Sequence, residues 1–179
     1  MSADLAGAVF KYLCHQEADR AWVVGGEALA LCARCTGVYA GAALAALALP
    51  FGRFEPSRRI LWLFGAAMIQ MGVLGFNPFF EPAWLRMLSG SMFSAGAVYF
   101  LWLPVRAALR PKGGGRARNS LLAAAAAVLV LQVIVHINLR GMADVIETVA
   151  LAGVGIFAGL AVTDIILIAC GCAGKPQRP

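Results

Sequence analysis

Apolar side chains fall into long runs divided by short polar stretches. That pattern is neither the two-residue alternation of a half-buried strand nor the narrow stripe of a surface helix. A helix that crosses a bilayer needs about 20 mostly apolar residues. Five windows approach or reach that length, at about 36–51, 60–78, 87–104, 119–139 and 147–169. The first is the shortest, and if it were re-entrant the chain would have four spans, with both termini on one side. The pattern predicts an all-α polytopic membrane bundle that takes up 1–179 as a single domain, with a segment 1–35 before the first span and a tail 170–179 after the last. Small residues are frequent at Gly37, Ala40, Gly41, Ala42 and Ala43, and again at Gly153, Gly155 and Gly159. They let helix backbones approach closely where no hydrophobic force drives packing.

Composition points the same way. The chain is 61% hydrophobic and 13% charged, with a mean hydropathy of +0.79. Soluble domains carry about 25% charged residues, and a fold of this size has too little interior to hide the apolar excess. One domain fits the length, and a separate soluble enzyme does not. Residues 2–13 lack a basic start and a small-residue cleavage site, so no cleavable signal is expected.

The net charge of +6 would raise nucleic acid as a partner in a soluble protein. Here the basic residues sit in short loops, where they signal topology instead. Arg53, Arg58, Arg59, Arg106, Arg110, Lys112, Arg116, Arg118, Lys175 and Arg178 fall on one side. Lys11, Arg20, Arg34, Arg86 and Arg140 fall on the other. This distribution predicts a multi-pass protein of the inner (cytoplasmic) membrane, with its N-terminus outside and its C-terminus cytoplasmic. The bilayer is the expected partner, no nucleic acid is expected, and no protein partner can be named.

The N-terminal segment carries the candidate chemistry. Residues 3–13 form a helix with Leu5, Val9, Phe10 and Leu13 on one side, a spacing suited to the membrane interface. Cys14-His15-Gln16 follow. Two apolar runs then flank Gly25-Gly26, as in a tight hairpin, and lead directly into Cys32-Ala33-Arg34-Cys35. Cys-x-x-Cys after a hairpin has the form of a zinc knuckle, in which a turn aims two thiolates at one point. Zinc takes four ligands, usually Cys or His. Cys14 and His15 complete that set for zinc or another thiophilic ion, although adjacent residues less often share a metal. His136, a carboxylate or a water are alternatives for the fourth position, and a water would make the site catalytic. Arg20 and Arg34 would offset the thiolate charge or bind an anion.

A redox reading competes with the metal. Cys-x-x-Cys at a helix N-terminus favours thiolate, so Cys32 and Cys35 would be the active pair of a membrane thiol–disulfide oxidoreductase, with Cys14 as relay. A plain structural disulfide is the simplest alternative. Cys170 and Cys172 lie close together at the tail and read as inert thiols.

Other polar residues map to the same level as the thiols. His136, Asp144, Glu147, Glu81 and Arg86 lie at outer helix ends or loops, and Glu147 with His136 could line a pocket at the knuckle. Asp164 falls inside the fifth window, where an ionisable residue is a functional candidate by default. A small transporter with Asp164 on its path is the weaker alternative, and hydrogen bonding to a neighbouring Ser is its structural counterpart. Glu147 and Asp164 are thus the catalytic candidates. Gln70 and Asn77 read as packing groups.

Cys14-His15-Gln16, Arg20, a Gly near 25, and Cys32-Ala33-Arg34-Cys35-Thr36-Gly37-Val38-Tyr39-Ala40-Gly41 resemble the uncharacterised prokaryotic membrane-protein family known as domain of unknown function 2085. The motif covers 14–41, and beyond it Arg86 and Gly90 fit. The Asp-Gly that family members often carry near the second span is missing here, and only Gln70 stands nearby. The resemblance implies a membrane location and a shared Cys/His cluster at Cys14, His15, Arg20, Cys32, Arg34, Cys35 and Tyr39. It implies no reaction.

Overall fold

The computed structural model describes residues 2–14, 21–48, 58–75, 82–109 and 142–170, together with Val130 and Val133. The described residues are mostly helical. Helix α1 covers Ser2–Leu13, α2 Ala33–Ala48, α3 Arg58–Gly75, α4 Ala83–Leu109 and α5 Met142–Ala169. Strands β1 (Ala21–Val24) and β2 (Glu27–Cys32) form an antiparallel hairpin between α1 and α2. The window 119–139 apart from Val130 and Val133, together with His15, Arg20, Asn77, Glu81, His136 and Cys172, lies outside the described residues.

The hairpin forms where the Gly-Gly pair predicts it. Gly25 and Gly26 have φ of 63° and 93°, both in the left-handed region that a type I′ turn requires and that glycine enters without steric cost. Val24, Leu29 and Leu31 turn inward and are buried, whereas Val23 is exposed. Strand β2 passes into α2 with no loop between Cys32 and Ala33.

The helices follow the apolar windows with shifted ends. Helix α2 begins at Ala33 rather than 36, which places Cys35 in its first turn. The third window ends at Pro104, but α4 runs on to Leu109. A helix-internal proline removes one backbone hydrogen bond, a loss that membrane helices tolerate when neighbours support them. Helix α5 starts at Met142, five residues before the fifth window, so Asp144 and Glu147 are helical. Helix α1 also differs from the sequence expectation. Phe10 is fully buried and packs into the core, while Leu13 and Tyr12 are exposed. The helix thus docks on the bundle through Phe10, with Leu13 left out of that contact.

Glycines set how closely the helices pack. A Cβ on Gly37 of α2 would strike the Met87 carbonyl of α4, and one on Gly90 of α4 would strike the Arg34 carbonyl of α2. On the other side of α2, a Cβ on Gly153 of α5 would strike the Tyr39 carbonyl. These contacts let backbones meet, as in membrane bundles rich in small residues. Ser91 and Ser94 are buried on α4 beside Gly41, and their hydroxyls donate to the Met87 and Ser91 carbonyls at 2.9 Å each.

Contact order along the chain fixes direction. Gly37 meets Met87 and Gly41 meets Ser91, so α2 and α4 run parallel. Met87 clusters with Ala143, Ile146 and Ala150, and Trp102 and Leu103 with Phe157 and Leu160, so α4 and α5 are parallel too. Helix α3 runs the other way. Its Gln70 donates to the Ser89 carbonyl at 2.8 Å and accepts from the Ser89 hydroxyl at 3.1 Å, while Phe64 near its start stacks on Tyr99 with ring centroids 4.3 Å apart.

Two described helices are long and apolar enough to cross a membrane, Ala83–Ala108 and Met142–Ala169. Helix α4 is the central one. Helix α5 exposes Val145, Val162, Ile165, Ile166 and Ile168, an outer surface that lipid can cover and water cannot favourably wet. Exposed aromatics lie towards both ends of the bundle. Tyr12 and Trp84 stand at the hairpin end, and Trp62 at the other beside exposed Arg58 and Arg59. Aromatic and basic residues favour those membrane levels.

Replacing Gly90 by Val should force α2 and α4 apart and cost about 1–3 kcal/mol, read as a lower unfolding temperature in detergent. Gly155→Ala, where a Cβ meets nothing within 4 Å, should stay within about 0.5 kcal/mol of the parent.

Candidate functional site

Three elements bring three cysteines together. Cys14 ends α1, its amide donating to the Phe10 carbonyl at 2.9 Å. Cys32 closes β2, and Cys35 lies in the first turn of α2. Their sulfurs all lie within 4.8 Å of one another. All three are free thiols, Cys14 buried and the other two half-buried.

Backbone donors converge on these sulfurs. The Cys32 amide donates to Cys14 Sγ at 3.5 Å. Cys32 Sγ accepts from the Arg34 and Cys35 amides, which are among the free N–H groups of the α2 N-terminus. Cys32 therefore caps α2 with its sulfur, where Ser or Asp usually serves with an oxygen. The Thr36 hydroxyl donates back to the Cys32 carbonyl at 3.2 Å.

The charge is divided unequally. A hydrogen bond from the Cys35 thiol, joined by the backbone amides, lowers the Cys32 pKa from 9.0 to about 5 against the opposing effect of burial. The same bond, followed by burial and the nearby Cys32 charge, pushes Cys35 up. Within the pair the Cys35 thiol is the donor and Cys32 Sγ the acceptor, which favours charge on Cys32.

Phe10, Leu29, Leu31, Met87 and Ile146 belong to the apolar cluster in which Cys14 is buried. Tyr39 lies one turn below Cys35, packs against this cluster and stands within electrostatic reach of all three thiols. Arg34 Nε is buried with no hydrogen-bond partner among the described residues. Glu147 reaches the hairpin from α5, where its Oε1 accepts the Ala30 amide at 2.7 Å. The bond joins the fifth helix to the strand that carries Cys32.

Not every candidate from the sequence gathers here. Asp144 is exposed. Asp164 lies 17 residues beyond Glu147 on α5, about 26 Å along the axis, so it is no part of the thiol site. Its Oδ1 is buried with no partner among the described residues, and the Ser hydrogen bond considered for it is not found there. Sequence reasoning missed the sulfur cap, which depends on β2 and α2 meeting without a loop. It missed also the backbone role of Glu147, which lies 117 residues from Ala30, and the Gly90 contact, signalled only by the run of small residues from Ser89 to Ser91.

The geometry suits a thiophilic ion. Zinc binds thiolate at about 2.3 Å, which in a tetrahedron holds the sulfurs about 3.8 Å apart. Three sulfurs already within 4.8 Å need only a small contraction. The same arrangement suits thiol exchange, because a stabilised thiolate stands beside a second thiol.

Comparison with known proteins supports the resemblance drawn from the motif. Residues 14–100 match the family described as "Predicted membrane protein (DUF2085)". An uncharacterized protein of Methanocaldococcus jannaschii is 33% identical over 107 residues, covering 55% of this chain and 66% of that protein. The chain thus spans less than two thirds of that relative. No solved structure matches.

Alkylation of the metal-free protein should reveal the shared proton. The Cys32 rate should stay level from neutral pH downwards and halve near pH 5, since protonation through that pKa removes the thiolate. Cys35→Ala, which deletes the main stabilising bond, should move the midpoint up towards the ordinary thiol value. An unchanged midpoint would contradict the assignment.

Proposed function

We propose that this chain, whose residues 14–100 match the DUF2085 predicted membrane proteins, is an integral membrane protein that holds a thiophilic metal ion, zinc or a similar one, at one end of its bundle. Cys14, Cys32 and Cys35 supply three ligands. His15, directly beside Cys14, or a water takes the fourth position. The observation that carries this reading is the convergence of three sulfurs from three elements within 4.8 Å. A structural disulfide needs only two of them. Charge also favours a cation, because the site stabilises thiolate with backbone amides inside a largely apolar shell. With water in the fourth position the ion would act as a Lewis acid and lower the pKa of that water.

The site lies on the outer face and the chain crosses the membrane five times. Parallel α4 and α5 support this, since the chain must return between Leu109 and Met142 from one end of the bundle to the other, and the apolar window 119–139 is long enough for that crossing. The clustering of Lys and Arg in alternate loops supports the orientation. In intact cells a membrane-impermeant amine reagent should label Lys11 and spare Lys175, and the reverse pattern would overturn the topology.

The Cys32 thiolate favours a second reading, thiol–disulfide exchange. Cys32 would attack one sulfur of a partner disulfide, forming a mixed disulfide and releasing the partner's first thiolate. Cys35 would then lose its proton and attack Cys32 Sγ, releasing the second thiolate. Two electrons pass to the partner and a Cys32–Cys35 disulfide remains.

Elemental analysis separates the two. The purified protein should carry about one metal ion per chain, and Cys32→Ser should lose it. A metal-free wild type in which Cys32 and Cys35 resist alkylation until reduced would establish the second reading instead.

A further inference from the structure

We infer that Glu147 is a positioning residue for the thiol site, acting through the backbone of β2 and not as a ligand. The inference rests on the reading of Cys14, Cys32 and Cys35 as one functional site.

β2 pairs with β1 on one side, where Val23 faces Ala28 and Ala21 faces Cys32. The register shifts between these two pairs, across the stretch of β2 that holds Ala30. The Ala30 amide donates to Glu147 Oε1 at 2.7 Å and the Cys32 amide to Cys14 Sγ at 3.5 Å. The last part of β2 is therefore held at Ala30 by a carboxylate from α5 and at Cys32 by a thiol from the end of α1. An amide without a protein partner in an apolar setting is costly, so each acceptor has a reason to be there.

Glu147 has firm footing for this task. Ile146 and Ala150 beside it are buried in the same cluster as Cys14, Leu29 and Leu31, and further along the helix Gly153 lies against the Tyr39 carbonyl of α2. Helix α5 thus grips both arms of the site, β2 through Glu147 and α2 through Gly153. A carboxylate accepting a backbone N–H makes a stronger bond than a neutral acceptor. Losing it frees β2 one residue pair before Cys32 and lets that sulfur drift from Cys14 and Cys35. Since the role is that of an acceptor, glutamine should serve and alanine should not.

The test uses full-length protein in detergent, comparing wild type with Glu147→Ala and Glu147→Gln. The first probe is cobalt(II), followed by its thiolate charge-transfer absorption and its affinity. The second is a trivalent arsenical that must bridge two neighbouring thiols, followed by its rate of capture without any metal. Glu147→Ala should weaken cobalt binding and slow arsenical capture, each about tenfold, while Glu147→Gln stays close to wild type in both. Wild-type behaviour in Glu147→Ala would overturn the inference, and so would a glutamine variant as impaired as the alanine one, which would show that charge matters and not the acceptor. Should wild type bind no cobalt, the metal reading fails, and the arsenical rates still decide the role of Glu147.

Discussion

The backbone-to-backbone approach of α2 to its neighbours governs the rest of the molecule. Gly37 and Gly90 interlock α2 with α4, and Gly153 sets α5 against the opposite side of α2. Such contacts leave no room to slide, because every shift drives a carbonyl into a Cα. Helix α2 is thereby fixed along its upper half, and its N-terminus becomes a rigid platform. Cys35 stands on that platform, and Cys32 closes it from the strand side. Phe10, Met87 and Ile146 complete an apolar wall below the thiols, so the same packing that orders the helices also shields the chemistry.

Within that frame the thiol site is an electrostatic device. Helix N-termini stabilise negative charge, and Cys32 exploits this directly by accepting two amides with its sulfur. The Cys35 thiol donates a hydrogen bond to the same sulfur, while Cys14 Sγ accepts from the Cys32 amide. A metal ion would replace that proton as the positive partner of the sulfurs. An electrophile would instead meet Cys32 as a nucleophile with Cys35 behind it. Both outcomes draw on one geometry, and for that reason metal content rather than shape separates them.

The helix directions add a constraint on the whole chain. Antiparallel α3 returns the chain between the parallel pair α2 and α4, and parallel α4 and α5 demand a further return. Helix α5 contributes little to the interior, yet it reaches the thiol end through Glu147 and α2 through Gly153. Its outer face is aliphatic over most of its length, as expected where lipid is the solvent.

Much of this was legible in the sequence. Long apolar runs dictate helices because a bilayer leaves backbone groups no partner but their own helix. Gly25-Gly26 dictates the hairpin because few other residues accept positive φ. The spacing of Cys14, Cys32 and Cys35 marked the candidate site. Helix ends were less legible, since Pro104 stops a sequence pattern more readily than it stops a supported helix. What only the tertiary structure decided is which groups meet across the chain. Nothing local to Glu147 says that it binds an amide 117 residues away. Periodicity and turn chemistry act over a few residues and are written in the sequence, whereas the partner of a buried polar group is chosen by how whole helices pack.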